Sequence, residues 1–258
     1  PQDVELHYAI KANPMPALVN HVAAIVDGLD VASGGELAIA LASGMAPDCI
    51  SFAGPAKRDR ELEAAVRAGV TVNVESEGEF ARLAAIGKRL GMTPIAAVRV
   101  NPSFDVKASG MKMGGGAKPF GVDAERVPAL LARFADSGVR FDGFHIFAGS
   151  QNLSAEALIE VQARSLELAA ELAAPAPMPP RIVNIGGGFG IAYFVNDKPL
   201  DLAAVGEALA ARLAVRPVSL RGARIVIELG RYIVGEAGVY LTRVIDRKQS
   251  HGETFVLV

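Results

Sequence analysis

Lys11 closes the first strand-like run of this chain, Tyr8-Ala9-Ile10-Lys11-Ala12-Asn13, and far downstream stand His145, the glycine triplet Gly186 to Gly188, and Glu228. An aldehyde cofactor needs an amine to hold it as an imine, an anion cradle for its phosphate, a flat partner for its ring and a charge at its pyridine nitrogen. These residues supply all four types, and together they point to pyridoxal phosphate. Lys11, flanked by Tyr8 and Ile10 at the end of a buried strand, is expected to be partly desolvated, which lowers an amine's pKa and frees it to attack. Taken singly, each residue has a plainer role. A lysine can snorkel from a strand end, a buried histidine can be satisfied locally, glycines mark turns, and a strand-end carboxylate can pair with Arg231.

The elements that must position these residues alternate in type. Strand-like runs at Leu6–Lys11, Gly28–Ala32, Cys49–Ala53, Thr71–Val74, Ile95–Val100, Gly143–Phe147, Arg181–Ile185 and Arg224–Glu228 are separated by alanine- and leucine-rich helical stretches. That alternation favours βαβ units and a parallel sheet. The clearest helix spans Leu153 to Leu172, with Leu153, Ala157, Leu158, Val161, Leu168 and Leu172 near one face. Ser33 with Glu36 and Ser76 with Glu79 read as capping boxes that start helices directly after strands. Eight such units imply a (β/α)₈ TIM barrel whose reactive face is the rim where the strands end. Lys11, Asp30, His145, Gly186 to Gly188 and Glu228 all fall at or just past strand ends. A doubly wound open sheet uses the same units, but Gly186-Gly187-Gly188-Phe189-Gly190 lacks the order of a dinucleotide turn.

Composition sets bounds on partners. The 258 residues are 51% hydrophobic, enough for a sizeable core, and 26 basic against 28 acidic residues give a net charge of -2. No basic run of the kind that tracks a phosphate backbone is present, so nucleic acid is not expected. No apolar run approaches a membrane span and no charged-then-apolar leader opens the chain, which reads as soluble and cytoplasmic. Cys49, the single cysteine, excludes an intramolecular disulfide and reads as a small core residue. His7, His21, His145 and His251 are scattered without ligand spacing, so no metal is expected. From Asn101 to Gly121 runs a long glycine-rich segment, a candidate lid or a plain connector.

YAIKAN, DVASGGEL from Asp30, HIFAGSQ from His145, GGGFG from Gly186 and ELGRY from Glu228 resemble, in order and over essentially the whole chain, the motifs of the fold-type III pyridoxal-phosphate decarboxylases. That family includes the diaminopimelate, ornithine and arginine decarboxylases and is related to alanine racemase. KMGGGAKPFGVD, GFHIFAGSQNL and ELGRYIVGEAGVYLTRVIDRK look closest to the diaminopimelate-decarboxylase-like enzymes of the exosortase-associated type.

The resemblance implies roles by residue. Lys11 holds the cofactor, His145 stacks on its ring, and Glu228 meets the pyridine nitrogen. Ser150, Gly186, Gly187, Gly188 and the backbone at Gly230 and Arg231 bind the phosphate. Asp30 supports the site from behind, and Arg99 contacts His145 or the substrate. Glu228 favours decarboxylation, since the related racemases carry an arginine at the position it resembles; a racemase, or a non-catalytic homologue that only binds cofactor or a partner, is the alternative. The resemblance also implies a homodimer and a C-terminal β domain that supplies a cysteine and a tyrosine. Residues 1–238 are then the cofactor-binding barrel and Val239–Val258 the start of that second domain, and the chain is expected to be an impaired fragment of a longer enzyme. An amino acid or a carrier-linked amino acid is the expected substrate.

Overall fold

The computed structural model describes residues 4–104, 111–112 and 114–258. Eight parallel strands close into a ring: β1 (Val4–Ala9), β2 (Gly28–Val31), β3 (Ile50–Phe52), β4 (Thr71–Val74), β5 (Ile95–Asn101), β6 (Arg140–Ile146), β7 (Ile182–Gly187) and β8 (Arg224–Leu229). Neighbours in sequence are neighbours in space, and β8 returns to β1 with Val4 opposite Ile225 and Tyr8 opposite Leu229. An open doubly wound sheet would leave two free edges; here every barrel strand has two partners.

Helices α1 (Pro16–Ala23), α2 (Gly34–Ala42), α3 (Asp59–Ala68), α4 (Glu77–Leu90), α5 (Val127–Ala132), α6 (Ala155–Ala173), α7 (Leu202–Ala214) and the short α8 (Arg231–Val234) follow the strands in turn. The main apolar core gathers strand residues such as Tyr8, Leu29, Val31, Val72 and Val98 with helix residues such as Leu37, Leu62, Leu83 and Leu166. Strands covered on both faces explain why β2 and β4 are buried along their whole length. Asp246–Ser250 and Glu253–Leu257 form a separate antiparallel hairpin, paired only with each other.

Three boundaries differ from the sequence reading. β1 stops at Ala9, and Ile10–Ala12 turn as a single 3₁₀ turn. Lys11 therefore sits on a turn beyond the strand; buried Ile10 continued the apolar pattern and hid the break. Cys49 likewise belongs to a 3₁₀ turn before β3 and is only half-buried. β6 begins at Arg140, three residues early, because Gly143 (φ 148°) accompanies a register shift against β5 that disturbs the alternation. A side chain at Gly143 would meet the Ile182 carbonyl oxygen at 1.8 Å. Part of the Asn101–Gly121 segment read as a candidate lid, residues 105–110 and 113, lies outside the described residues.

The serine caps form as the pattern requires: Ser33 Oγ accepts from Glu36 N–H and Ser76 Oγ from Glu79 N–H. Their glutamates reach one residue further back than a capping box, accepting from Ala32 N–H at 2.8 Å and Glu75 N–H at 3.2 Å. α6 is capped by Ser154 and turns Leu158, Leu166, Ala169 and Leu172 inward together with Gln162 and Ser165.

Inside the ring the barrel carries a polar cluster. His7 of β1 is buried between Glu5 and Asp30, each carboxylate 3.7 Å from an imidazole nitrogen, and Ser51 donates to Asp30. Burial pulls the His7 pKa down, but the two carboxylates outweigh it and raise the value from 6.5 to about 9. Because the folded-state pKa lies above the unfolded one, the contribution of His7 to stability is complete below pH 6.5 and disappears as pH rises through about 9. Urea denaturation across that window should show a decline of about 3 kcal/mol that is absent from His7→Gln.

Candidate active site

The 3₁₀ turn after β1, the turn after β7 and the loop between β8 and α8 converge at the strand C-termini around a cavity of about 500 Å³. Lys11, Ser150, Gly188, Glu228, Gly230 and Arg231 line it, with Ala9, Ala12, Phe147 and Tyr193 among its walls. Lys11 is exposed in this opening, with Nζ 5.9 Å from the centre of the Phe147 ring. The expected desolvation of the amine is thus not met: the turn that follows Ala9 carries the side chain out of the barrel wall and into the mouth.

Glu228, near the end of β8, is buried at 6% exposure. Its Oε2 accepts from Asn184 Nδ2 at 3.1 Å and lies 3.3 Å from His145 Nε2. Burial alone would raise its pKa, yet the neighbouring His145, with Lys11 and Arg99 further off, holds the carboxyl well below the ordinary range. It is an anion at any physiological pH. His145 is 1% exposed and neither ring nitrogen makes a hydrogen bond among the described residues. It sits against Glu228 without lining the cavity.

The glycine triplet is required by close packing. Pairing between β7 and β8 shifts register between Asn184 and Gly187, so the chain bulges there. A Cβ at Gly187 would meet the Glu228 carbonyl oxygen at 2.0 Å, and one at Gly188 the Gly149 carbonyl oxygen at 2.2 Å. Gly186 and Gly188 also adopt φ of 71° and 76°, which disfavours any side chain. Only Gly188 of the three reaches the cavity wall.

Two expected site residues lie elsewhere. Asp30 points into the barrel interior, bonded to Ser51 and facing His7. Arg99 is paired with Glu75 at 2.8 Å and stacked 5.0 Å from the Phe120 ring centre; its backbone is in register with His145. Glu75 also accepts the backbone N–H groups of Gly54 and Gly121, tying three rim loops together.

Next to it is a buried ion pair that no sequence pattern marked. Lys57 Nζ bonds Glu79 Oε1 at 2.8 Å and the carbonyls of Gly54 and Asn73. Burial pushes the Lys57 pKa down and the Glu79 pKa up. Replacing Lys57 with methionine leaves the carboxylate without its cation and should cost about 3–5 kcal/mol in chemical denaturation, with part recovered in the Lys57→Met, Glu79→Gln double variant.

Two cavity residues carry no sequence signal for the site. Phe147 reads as a continuation of an apolar strand, and Tyr193, whose hydroxyl takes a bond from the Arg231 guanidinium beneath which its ring lies, follows the glycines with no signal of its own. Gln151, with φ of 58°, grips the same loop by donating to Ile191 O and accepting from Ile191 N–H. Among the described residues no helix is long and apolar enough to cross a membrane, and no group of three or more His, Cys, Asp or Glu side chains could hold a metal ion.

A parallel barrel with an amine, a carboxylate and a guanidinium gathered at the C-terminal rim defines a class of small-molecule site. Comparison with known proteins gives the family. The model of the pyridoxal-dependent decarboxylase pyridoxal binding domain matches residues 1–235, and the chain belongs to that family. It is 31% identical over 258 residues to the L-glutamyl-(BtrI acyl-carrier protein) decarboxylase of Niallia circulans, covering 99% of this chain and 60% of that protein. Against a diaminopimelate decarboxylase of Neisseria meningitidis serogroup A the identity is 35%, with 97% and 61% covered. The crystal structure of Helicobacter pylori diaminopimelate decarboxylase complexed with L-lysine superposes with a TM-score of 0.82 at 28% identity, covering 98% of this chain and 63% of that one. The chain spans about 60% of the length of the curated relatives it matches. Pyridoxal phosphate is the cofactor of the family.

Proposed function

We propose that this chain is the cofactor-holding barrel of an amino-acid decarboxylase, with pyridoxal phosphate attached at Lys11. The observation that carries this reading is the convergence of Lys11, Glu228, Ser150, Gly188, Gly230 and Arg231 on one cavity. The donor set suits the group: an accessible amine for the aldehyde, a permanent anion for the ring nitrogen, and a guanidinium with glycine backbone for the phosphate. The unbonded nitrogens of buried His145 lie beside Glu228, where a ring held by that carboxylate would be packed.

When bound, pyridoxal phosphate supplies an electron sink for the bond that breaks at the substrate's α-carbon. Glu228, kept ionised by its neighbours, would hold a proton at the ring nitrogen of the bound group, which would favour decarboxylation over racemisation. Phe147 and Ala12 wall the cavity beside Lys11. The Lys11 amine is placed to move a proton at the α-carbon, and Arg231, braced by Tyr193, presents positive charge at the mouth for a phosphate or a substrate carboxylate.

The substrate class in this reading is a diamino acid resembling diaminopimelate or an amino acid linked to a carrier protein. Both kinds are named among the relatives. The reading extends to a cytoplasmic homodimer in which Val239–Val258, with its exposed hairpin, opens a second, β-rich domain. Carbon dioxide release should be assayed on a full-length version, with added pyridoxal phosphate, against a panel of free diamino acids and carrier-bound amino acids. Release from one class supports the proposal; inversion of the α-carbon without carbon dioxide contradicts it.

A further inference from the structure

We infer that Asn184 is a positioning residue that locks the Glu228 carboxylate and the glycine turn into one rigid unit, so that the two ends of the bound cofactor are gripped at a fixed separation. This rests on the proposed roles of Glu228 and the glycines. Asn184 is 4% exposed and lies in the middle of β7, just before its bulge, in register with His145 on β6 and Val226 on β8. Its Nδ2 donates to Glu228 Oε2 at 3.1 Å, and its Oδ1 accepts from Gly186 N–H at 2.8 Å.

Each bond fixes the other. A carboxylate only accepts and a backbone N–H only donates, so the amide has one orientation that satisfies both. The bulge after Asn184 frees Gly186 N–H from the strand ladder, and the side chain supplies the acceptor that the neighbouring strand no longer offers. With Oε2 held by Asn184 and faced by His145, Oε1 is the Glu228 oxygen that no described side chain bonds, and Glu228 borders the cavity. Of the common residues of this size, asparagine alone offers both functions. Leucine offers neither, and ionised aspartate would set a second carboxylate against Glu228.

The test is cofactor affinity, read by fluorescence titration of cofactor-free protein with pyridoxal phosphate and compared with wild type. Asn184→Leu should weaken binding about 10- to 100-fold, the range expected for hydrogen bonds to a charged group. Asn184→Asp should be at least as weak at the alkaline end of a series from about pH 8 to about pH 5, and should recover toward wild type as pH falls, because a protonated Asp donates again and two adjacent carboxylates share a proton readily. A purely structural role would lower the melting temperature of the cofactor-free protein while leaving the Asn184→Asp to wild-type affinity ratio flat in pH; that outcome, or Asn184→Leu binding within twofold of wild type, overturns the inference. If Asn184→Leu does not fold, the pH series on Asn184→Asp decides alone. Wild type failing to bind pyridoxal phosphate would overturn the proposed function along with it, whereas normal wild-type binding with indifferent variants sinks only the role of Asn184.

Discussion

Lys11→Ala should abolish stable attachment of pyridoxal phosphate while leaving the barrel folded. The side chain is exposed on a 3₁₀ turn, makes no packing contribution to the core, and stands 5.9 Å from the Phe147 ring centre with the cavity open before it. Its removal therefore takes away chemistry and little stability. Losing the positioned amine as a proton donor and acceptor should alone lower decarboxylation about 10²- to 10⁴-fold, and loss of cofactor attachment adds to that. Carbon dioxide release and the visible absorbance of protein-bound cofactor measure the two effects separately, and the melting temperature of the cofactor-free protein should match wild type. A variant that keeps the absorbance would mean the aldehyde is held elsewhere.

Glu228→Gln should lower turnover about 10²- to 10³-fold, the size seen when one preorganised electrostatic group is removed from a reacting centre. The amide nearly preserves volume and can still accept from Asn184, so the cofactor should bind, though more weakly. What it cannot do is hold a proton at a ring nitrogen as an anion does. In wild type the carboxyl is ionised throughout the physiological range, because His145, Lys11 and Arg99 offset the burial that would otherwise neutralise it. The activity of wild type should accordingly show no inflection from Glu228 between pH 5 and 8, and any acid limb there must come from another group. A Glu228→Gln protein with undiminished kcat would remove the carboxylate from the proposed chemistry.

The barrel was legible in the sequence because its strands are β-branched runs between long amphipathic helices, and eight such units leave few topologies. Strand ends were less legible. Ile10 and Phe147 extend apolar patterns past the last ladder hydrogen bond, so Lys11 was expected in the wall and found on the turn. The interior polar residues escaped notice for a related reason. His7, Asn73 and Asn184 sit in strands buried on both faces, where an isolated polar side chain reads as an interruption rather than as part of a network. Sequence spacing also says nothing of Lys57 and Glu79, brought together from successive strand-helix units, or of Tyr193 reaching back over Arg231. Motif matching found Glu228 but not the asparagine that orients it. Asp30 and Arg99 stand at strand ends as expected: Asp30, expected behind the site, turns inward to His7, and Arg99, in register with His145, turns toward Glu75.

The most direct test is to incubate the purified protein with pyridoxal phosphate, reduce it with borohydride, and locate the modified residue by peptide mass mapping. One pyridoxyl group on the peptide containing Lys11 is the expected result. Modification spread over surface lysines, or concentrated on any lysine other than Lys11, would contradict the claim that the cavity at the end of β1 is the cofactor site.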